Sequence, residues 1–286
     1  MCTYRYLLVA ITVSLVLSSS GCKRFAAKLG VTYVPFADVS GEEDVASGVR
    51  NLDIDIRVGE VKVVAGESGR LRIEATVRIK ESLANPAADP GGFSDHVRVT
   101  TDGDTITVAD AHTGKPDEKD WRVSLVVHAP ADLAVNLHTS AGRVVVDGMT
   151  SDIKAKSDAG EVLIRTSTPN AVTVSTAAGK IDITLEGVTG PVTASTSAGS
   201  INMTVTKTPP VKDVVLTVAV GEVVLTIPPG APGTFDLSVD IGQVSVKGHD
   251  GITVKRVALG ATGKGTIGKG GPTYKLQAAT GSVTVR

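Results

Sequence analysis

The sequence contains little cysteine. Of its 286 residues only Cys2 and Cys22 carry a thiol, and residues 23–286 contain none. Secreted domains held together by disulfides need several cysteines, and structural zinc sites are usually built from thiolates. Both classes are therefore excluded for residues 23–286. The five histidines lack the close spacing of metal ligands, so we expect no metal and no cofactor.

Aromatic residues and surplus positive charge are also scarce. Aromatic residues make up 3% of the chain, and 29 basic residues face 30 acidic ones, for a formal net charge of -1. Proteins that bind nucleic acid use a basic surplus to neutralise phosphates. The composition therefore predicts that nucleic acid is not a partner.

A long hydrophobic run is absent as well, and the apolar run near the start is short. Residues 7–17 form an apolar run interrupted only by Thr12 and Ser14, follow Arg5, and precede the small residues 18–21. A run of eleven residues is too short to span a bilayer as a stable anchor. A charged head, a short apolar segment and a small-residue exit are typical of a secretory signal peptide. We therefore predict a signal peptide over residues 1–22 and an exported protein.

The cysteine directly after Gly21 resembles the bacterial lipoprotein signal, in which this thiol is acylated. The resemblance implies lipid attachment at Cys22 and the membrane as a partner; the alternative is an ordinary cleavage site. In Gram-negative lipoproteins an Asp at the next position marks inner-membrane retention, so Lys23 favours the outer membrane. Residues 23–44 show no clear periodicity and are predicted to form a tether.

One pattern recurs along the rest of the chain. Alternating apolar residues lead to a small residue, a glycine and a polar residue, and alternating apolar residues follow, as in VTVSTAAGKIDITL (172–185) and VTASTSAGSINMTV (192–205). A spacing of about 20 residues indicates that each repeat is one unit stacked on its neighbours. The glycines at these positions are Gly59, Gly142, Gly160, Gly179, Gly199, Gly221, Gly242 and Gly281.

The apolar residues change parity at each of these glycines. Before Gly179 they lie at even positions, up to Ala178, and after it at odd positions, beginning with Ile181. Successive side chains of a strand point to opposite faces, so an unbroken strand cannot change parity. Each glycine therefore marks a corner at which the chain keeps its apolar side inward.

Such a corner is either a tight hairpin or an arch between two sheets. A type I′ hairpin needs positive φ at both central residues, but Val58, Val220 and Ile241 precede three of the glycines, and β-branched residues avoid positive φ. We therefore favour arches and predict an all-β fold, a single-stranded β-helix or β-solenoid with coils of about 20 residues. By contrast, Asp102-Gly103 between two alternating segments predicts a true hairpin.

Two rows of polar side chains follow from stacked coils. The residues after the glycines include Arg143, Glu161 and Lys180, a row of alternating charge that is either a binding stripe or a solvated ladder of weak ion pairs. We favour the ladder. Three positions before four of the glycines lie hydroxyl residues on the inward parity, which predicts a second, internal row: Thr139, Ser157, Thr176 and Thr196.

The remaining segments define the expected domains. Residues 45–130 alternate without a regular period and predict irregular, sandwich-like strands, whereas residues 131–286 form the repeat region. Residues 274–286 restate the motif and are predicted to be the closing coil. We expect 45–286 to be one continuous domain.

The segment VSLVVHAPADLAVNLHTSAGRVVVDG (123–148) and the corners after it resemble the bacterial putative-adhesin β-strand-repeat family, a domain of unknown function on exported and membrane-associated proteins. The likeness covers residues 48–286 and implies a fold similar to single-stranded β-helices. It brings no catalytic residues with it.

The sequence therefore predicts a non-catalytic, lipid-anchored envelope protein that presents a β-solenoid surface to a protein or glycan partner. One alternative is an accessory component of an envelope-stress or signalling system. Another is a polysaccharide-active β-helix enzyme, which would need carboxylates converging on one cleft. The segment around Lys264 mimics a phosphate-binding loop, but Ala258 replaces its first glycine and Gly265 replaces its Ser or Thr.

Overall fold

The computed structural model describes residues 31–85 and 87–286, and strands are the main regular structure of this part of the chain. The strands of the first half are β1 Tyr33–Asp44, β2 Asn51–Val58, β3 Val61–Ala65, β4 Arg70–Lys80, β5 Val97–Asp102, β6 Thr105–Asp110, β7 Trp121–Ala129, β8 Ala134–Ala141 and β9 Val144–Asp147. Those of the second half are β10 Ile153–Ala159, β11 Val162–Thr166, β12 Val172–Leu185, β13 Val192–Val205, β14 Val214–Thr226, β15 Gly233–Val246, β16 Ile252–Arg256, β17 Ala261–Ile267 and β18 Thr273–Val285. The helical elements are α1 Phe93–His96 and two 3-10 turns, Glu81–Leu83 and Glu118–Asp120.

The predicted all-β class is confirmed, and the strands belong to one large, mostly parallel sheet. β12 and β13 show the repeating arrangement: they pair in parallel from Val172↔Val192 to Leu185↔Val205, with Gly179 opposite Gly199. We call the strand segments on the two sides of one such glycine a rung, with a first arm before the glycine and a second arm after it. Each arm pairs with the same arm of the neighbouring rung and not with its own partner arm, which is the pairing of an arch.

The rungs do not stack in the order of the sequence. Named by their glycines, they follow one another as Gly59, Gly142, Gly160, Gly179, Gly199, Gly221, Gly281 and Gly242. β18 lies between β14 and β15, so the prediction that residues 274–286 close the stack is wrong. The repeat motif makes β18 compatible with any rung, and only the completed tertiary structure selects its neighbours.

Antiparallel pairs of strands lie at both ends of the stack. At the Gly59 end, β2 pairs in parallel with β6, which belongs to the antiparallel hairpin β5–β6. There β3 pairs in parallel with β7, which pairs antiparallel with β4. The hairpin predicted at Asp102-Gly103 is confirmed by the pair Asp102↔Thr105. At the Gly242 end, β17 pairs with the first arm of β15 and β16 pairs with β17. The segment 45–130 therefore contributes one rung, at Gly59, and the strands that cover it.

The second half of the predicted tether, residues 23–44, is a strand. Residues 33–44 form β1, an edge strand that pairs antiparallel with β4 from Tyr33↔Lys80 to Asp44↔Arg70. The register shifts between Pro35 and Ala37. An extra residue at such a bulge resets which side chains face inward, so no single period runs through the strand. This explains why periodicity alone predicts no strand here.

The core lies between the two arms and runs through the whole stack. Inward side chains of both arms, such as Val174 and Ile183 of the Gly179 rung, are almost completely buried and belong to one cluster that extends from Val49 to Val285. Burying such a side chain contributes about 1.5–3 kcal/mol. Cβ-branched residues suit these positions because they pack well on a pleated surface. Within the described residues we find no helix with the length and apolar character needed to cross a membrane.

Candidate functional site

The eight glycines lie where the two arms of each rung meet and form a continuous column. Their φ angles range from 137° at Gly281 to 155° at Gly59. A Cβ atom added to Gly179 would lie 1.8 Å from the backbone oxygen of Gly160, and the other rungs show the same close approach. The column therefore admits only glycine, because both the backbone conformation and the space exclude a side chain. Cys22 lies outside the described residues.

The corner begins two residues before each glycine. In the first arm of β12 the last inward residue before Gly179 is Thr176. Both Ala177 and Ala178 are exposed, so the prediction that Ala178 points inward is wrong. The register between β12 and β13 passes from Thr176 directly to Ala178, which marks an irregularity before the glycine. At two other corners the preceding β-branched residue points to solvent: Val220 is 57% exposed and Ile241 52% exposed.

The polar residues after the glycines form the expected row of alternating charge. Arg143 lies between Glu60 and Glu161, with its Nη1 3.8 Å from Glu60 Oε1 and its Nε 3.1 Å from Glu161 Oε2. Lys180 instead contacts Asp182 of its own strand at 2.6 Å, and this hydrogen bond is the main reason that its pKa is raised. All these side chains are partly exposed, so each pair contributes little to stability.

The inward hydroxyls lie in register across four rungs, as their spacing predicts. They are buried, and those of Thr176 and Thr196 donate to the carbonyl oxygens of Ala178 and Ala198, each at 3.3 Å. The hydroxyls of Thr176 and Thr196 therefore support the backbone at their corners, whereas those of Thr139 and Ser157 are buried with no hydrogen-bond partner among the described residues.

A groove of about 450 Å³ runs along the outer face of the first arms, beside the glycine corners. We call it the hydroxyl groove, because its polar lining includes Ser195, Ser197, Thr217, Ser238, Asp240 and Gln277. The buried residues Thr176 and Thr196 border it from the inward side. Register pairs place Ser195, Thr217, Gln277 and Ser238 side by side on four successive strands. Neighbouring side chains are thus about 4.8 Å apart. The Gln277 amide donates to Ser238 Oγ at 3.4 Å.

A second polar cluster joins two loops at the Gly59 end. His96 Nδ1 lies 3.0 Å from His112 Nε2, and His96 Nε2 lies 2.7 Å from the carbonyl oxygen of Pro90. The carbonyl can only accept, so His96 Nε2 donates to it; with both rings neutral, His112 Nε2 then donates to His96 Nδ1. The His112 ring stacks on Trp121 at 4.3 Å between ring centroids.

The surroundings of His112 keep this ring neutral. Burial is the largest cause, followed by the neighbouring His96 and by Lys115, and together they lower the pKa of His112 to about 4. Sequence spacing missed the pair because the two histidines are sixteen residues apart and meet only when the loops fold together. Within the described residues, no three His, Cys, Asp or Glu side chains are grouped as metal ligands would be.

Comparison with known proteins gives a likeness in structure only. No family model matches the chain, and no curated protein matches it. The chain is similar to a solved structure named a "putative cell adhesion protein" from Clostridium sporogenes, with 12% identity, a TM-score of 0.36, and coverage of 87% of this chain and 99% of the other. It is also similar to a "putative adhesin" from Bacteroides fragilis (10% identity, TM-score 0.37, coverage 87% and 97%) and to one from Parabacteroides distasonis (11%, 0.37, 87% and 97%). At these values the likeness says nothing about a ligand.

Proposed function

We propose that this chain is an exported, lipid-anchored protein of the cell envelope that binds a protein or glycan partner and carries out no catalysis. The observation that carries the proposal is the hydroxyl groove. It offers hydroxyl and amide groups on four successive strands, and each group can donate and accept hydrogen bonds. An extended partner lying along the groove would meet similar groups at every rung.

The side chains of the groove are also ordered before a partner binds. Its side chains stand on strands that are paired on both sides, so their positions are set by the backbone before a partner arrives. Binding sites that are already ordered lose less conformational entropy on association. Short side chains such as Ser195 and Thr217 have little rotamer freedom to lose.

The stack itself supports an adhesin-like architecture. We propose that the rungs form a β-solenoid with coils of about 20 residues, because both arms pair in parallel and in register with the neighbouring rungs. Stacked repeats of this kind create long, regular surfaces suited to binding. The groove spans the Gly199, Gly221, Gly281 and Gly242 rungs of this surface.

The anchor would attach the protein to the membrane through the strands of the Gly59 end. Between Cys22 and the start of β1 at Tyr33 there are eleven residue steps, which reach at most about 40 Å when fully extended. β1 belongs to the strands at the Gly59 end, whereas the groove lies towards the Gly242 end. A lipid on Cys22 would therefore leave the groove at the far end of the stack from the attachment. Lys23 supports the outer membrane as the membrane of attachment.

The chemistry of the groove supports binding in preference to catalysis. Among the described residues that line it, Asp240 is the only ionisable one. Glycoside hydrolysis normally requires two carboxyl groups facing one another, and general acid–base catalysis requires a group placed near the reacting atoms. The lining residues supply hydrogen bonds to a partner without such a pair.

One substitution in the groove and one outside it test the proposal. Thr217→Arg places a long charged side chain in the groove, and Thr226→Arg places the same side chain on the outer face of the second arm of the same strand, β14. Both proteins would be tested on immobilised bacterial and host polysaccharides and on purified outer-membrane proteins. We expect the parent to bind at least one of these, the groove variant to bind at least about tenfold more weakly, and the control to bind normally. Equal binding by both variants, or no binding by the parent, would refute the proposal.

A further inference from the structure

The strand β18 fills a slot between two strands that precede it in the sequence. It pairs in parallel with β14 from Val214↔Tyr274 to Leu225↔Val285, and with β15 from Thr234↔Thr273 to Val246↔Val285. β14 and β15 are consecutive along the chain, yet they stand two strand spacings apart, about 10 Å. Without β18, each would present a nearly complete unpaired edge, which is a template for another strand.

The slot accepts only a strand that carries the repeat motif. Tyr274, Leu276, Val283 and Val285 are completely buried, and the Tyr274 ring stacks on Phe235 at 4.6 Å between centroids. At the corner, a Cβ atom on Gly281 would lie 1.7 Å from the backbone oxygen of Gly221. The slot therefore requires a strand with glycine at its ninth residue and apolar inward residues on both sides. The sequence of β18 meets these requirements.

The segment that connects β17 to β18 can act as a hinge. Residues 268–272 join β17 to β18, and three of the five are glycines with positive φ: Gly268 at 65°, Gly270 at 81° and Gly271 at 151°. β17 pairs with one side of β15 and β18 with the other, so this segment crosses the end of β15. A glycine-rich hinge can adopt other backbone conformations at little cost, which would let β18 leave β15 while β17 stays in place.

We propose that the slot is a strand-binding site that also accepts β18 of a second copy of this chain, so that two molecules exchange this strand. The contacts of an exchanged strand equal those of the closed form, and only the hinge changes. Exchange of an identical element is a low-cost route to dimers for this reason. Anchored molecules are confined to one surface, which raises their effective concentration and favours exchange.

Cysteine pairs test the exchange in the full chain. All variants would carry Cys2→Ser and Cys22→Ser, which remove both native thiols. The test pair is Thr217→Cys with Gln277→Cys, which lie opposite one another on β14 and β18. The control pair is Ser195→Cys with Thr217→Cys, opposite one another on β13 and β14. Paired residues on neighbouring strands are at a Cα distance that a disulfide can bridge.

Each variant would be unfolded, refolded at low and at high protein concentration, oxidised, and separated on a non-reducing gel. In an exchanged dimer β14 and β18 come from different chains, whereas β13 and β14 come from the same one. We expect the test pair to give covalent dimer that increases with concentration and exceeds the control by at least about fivefold. Monomers alone, or equal dimer from both pairs, would overturn the proposal. Ser238→Cys with Gln277→Cys, opposite one another on β15 and β18, repeats the test if the first pair does not fold.

Discussion

Alanine at Gly179 should destabilise the protein strongly, for two reasons that can be measured separately. Its φ of 147° costs an L residue about 1–3 kcal/mol, and its new Cβ would lie 1.8 Å from Gly160 O, about half an ordinary contact distance. To relieve that overlap, two rungs must separate where both arms are hydrogen-bonded. Overpacking of this kind adds about 1–3 kcal/mol, so we expect a total loss of about 2–6 kcal/mol.

Two other glycines serve as controls. At Gly103 the φ is 58°, but a Cβ would meet no described atom within 4 Å, so Gly103→Ala should show only the cost of a left-handed backbone, about 1–2 kcal/mol. At Gly48 neither a positive φ nor a neighbour among the described residues opposes a Cβ, and Gly48→Ala should be neutral or stabilising by up to about 1 kcal/mol.

Thermal and urea unfolding followed by circular dichroism would measure all three variants. For a domain of this size 1 kcal/mol shifts Tm by about 2–4 °C, so Gly179→Ala should melt at least about 4 °C below the parent. If Gly179→Ala and Gly103→Ala melt together, the close approach of neighbouring glycines has no energetic consequence, and the glycine column does not constrain the fold.

Three further predictions concern other residues. His112 is protonated near pH 6.5 in the unfolded chain but only near pH 4 in the folded chain, so the free energy of unfolding should fall by up to about 3 kcal/mol as pH decreases from 6.5 to 4. In urea unfolding, His112→Phe should lack this loss. If the variant loses stability with pH as steeply as the parent, the His112 ring is not held neutral in the fold. Arg143→Ala should cost less than about 1 kcal/mol in the same assay, because both of its ion pairs are partly exposed; a larger loss would mean that the charged row is structural. Labelling cells with a palmitate analogue should mark the parent but not Cys22→Ser, and equal labelling would exclude this lipid site.

The repeating part of the fold is visible in the sequence because its signal is local. Side chains alternate across a strand with a period of two, so the change of parity at Gly179 shows where the inward side switches. The β-branched residue before Gly221 argues against a tight hairpin, and the structure pairs each arm with the next rung. The alternation also predicts burial on both sides of each corner, although Ala178 shows that the corner begins earlier than the glycine.

The order of the rungs and the contacts between loops depend on tertiary structure. Every rung presents the same backbone donors and acceptors at its edges, so the sequence of β18 is compatible with several positions. Its place between β14 and β15 is set by the packing of Tyr274 against Phe235 and by the path of residues 268–272. The contact between His96 and His112 likewise requires two loops to meet. Local alternation determines which face of a strand is buried, whereas the choice of neighbouring strand is a long-range contact, and hydrogen bonds between backbones carry no sequence information with which to predict it.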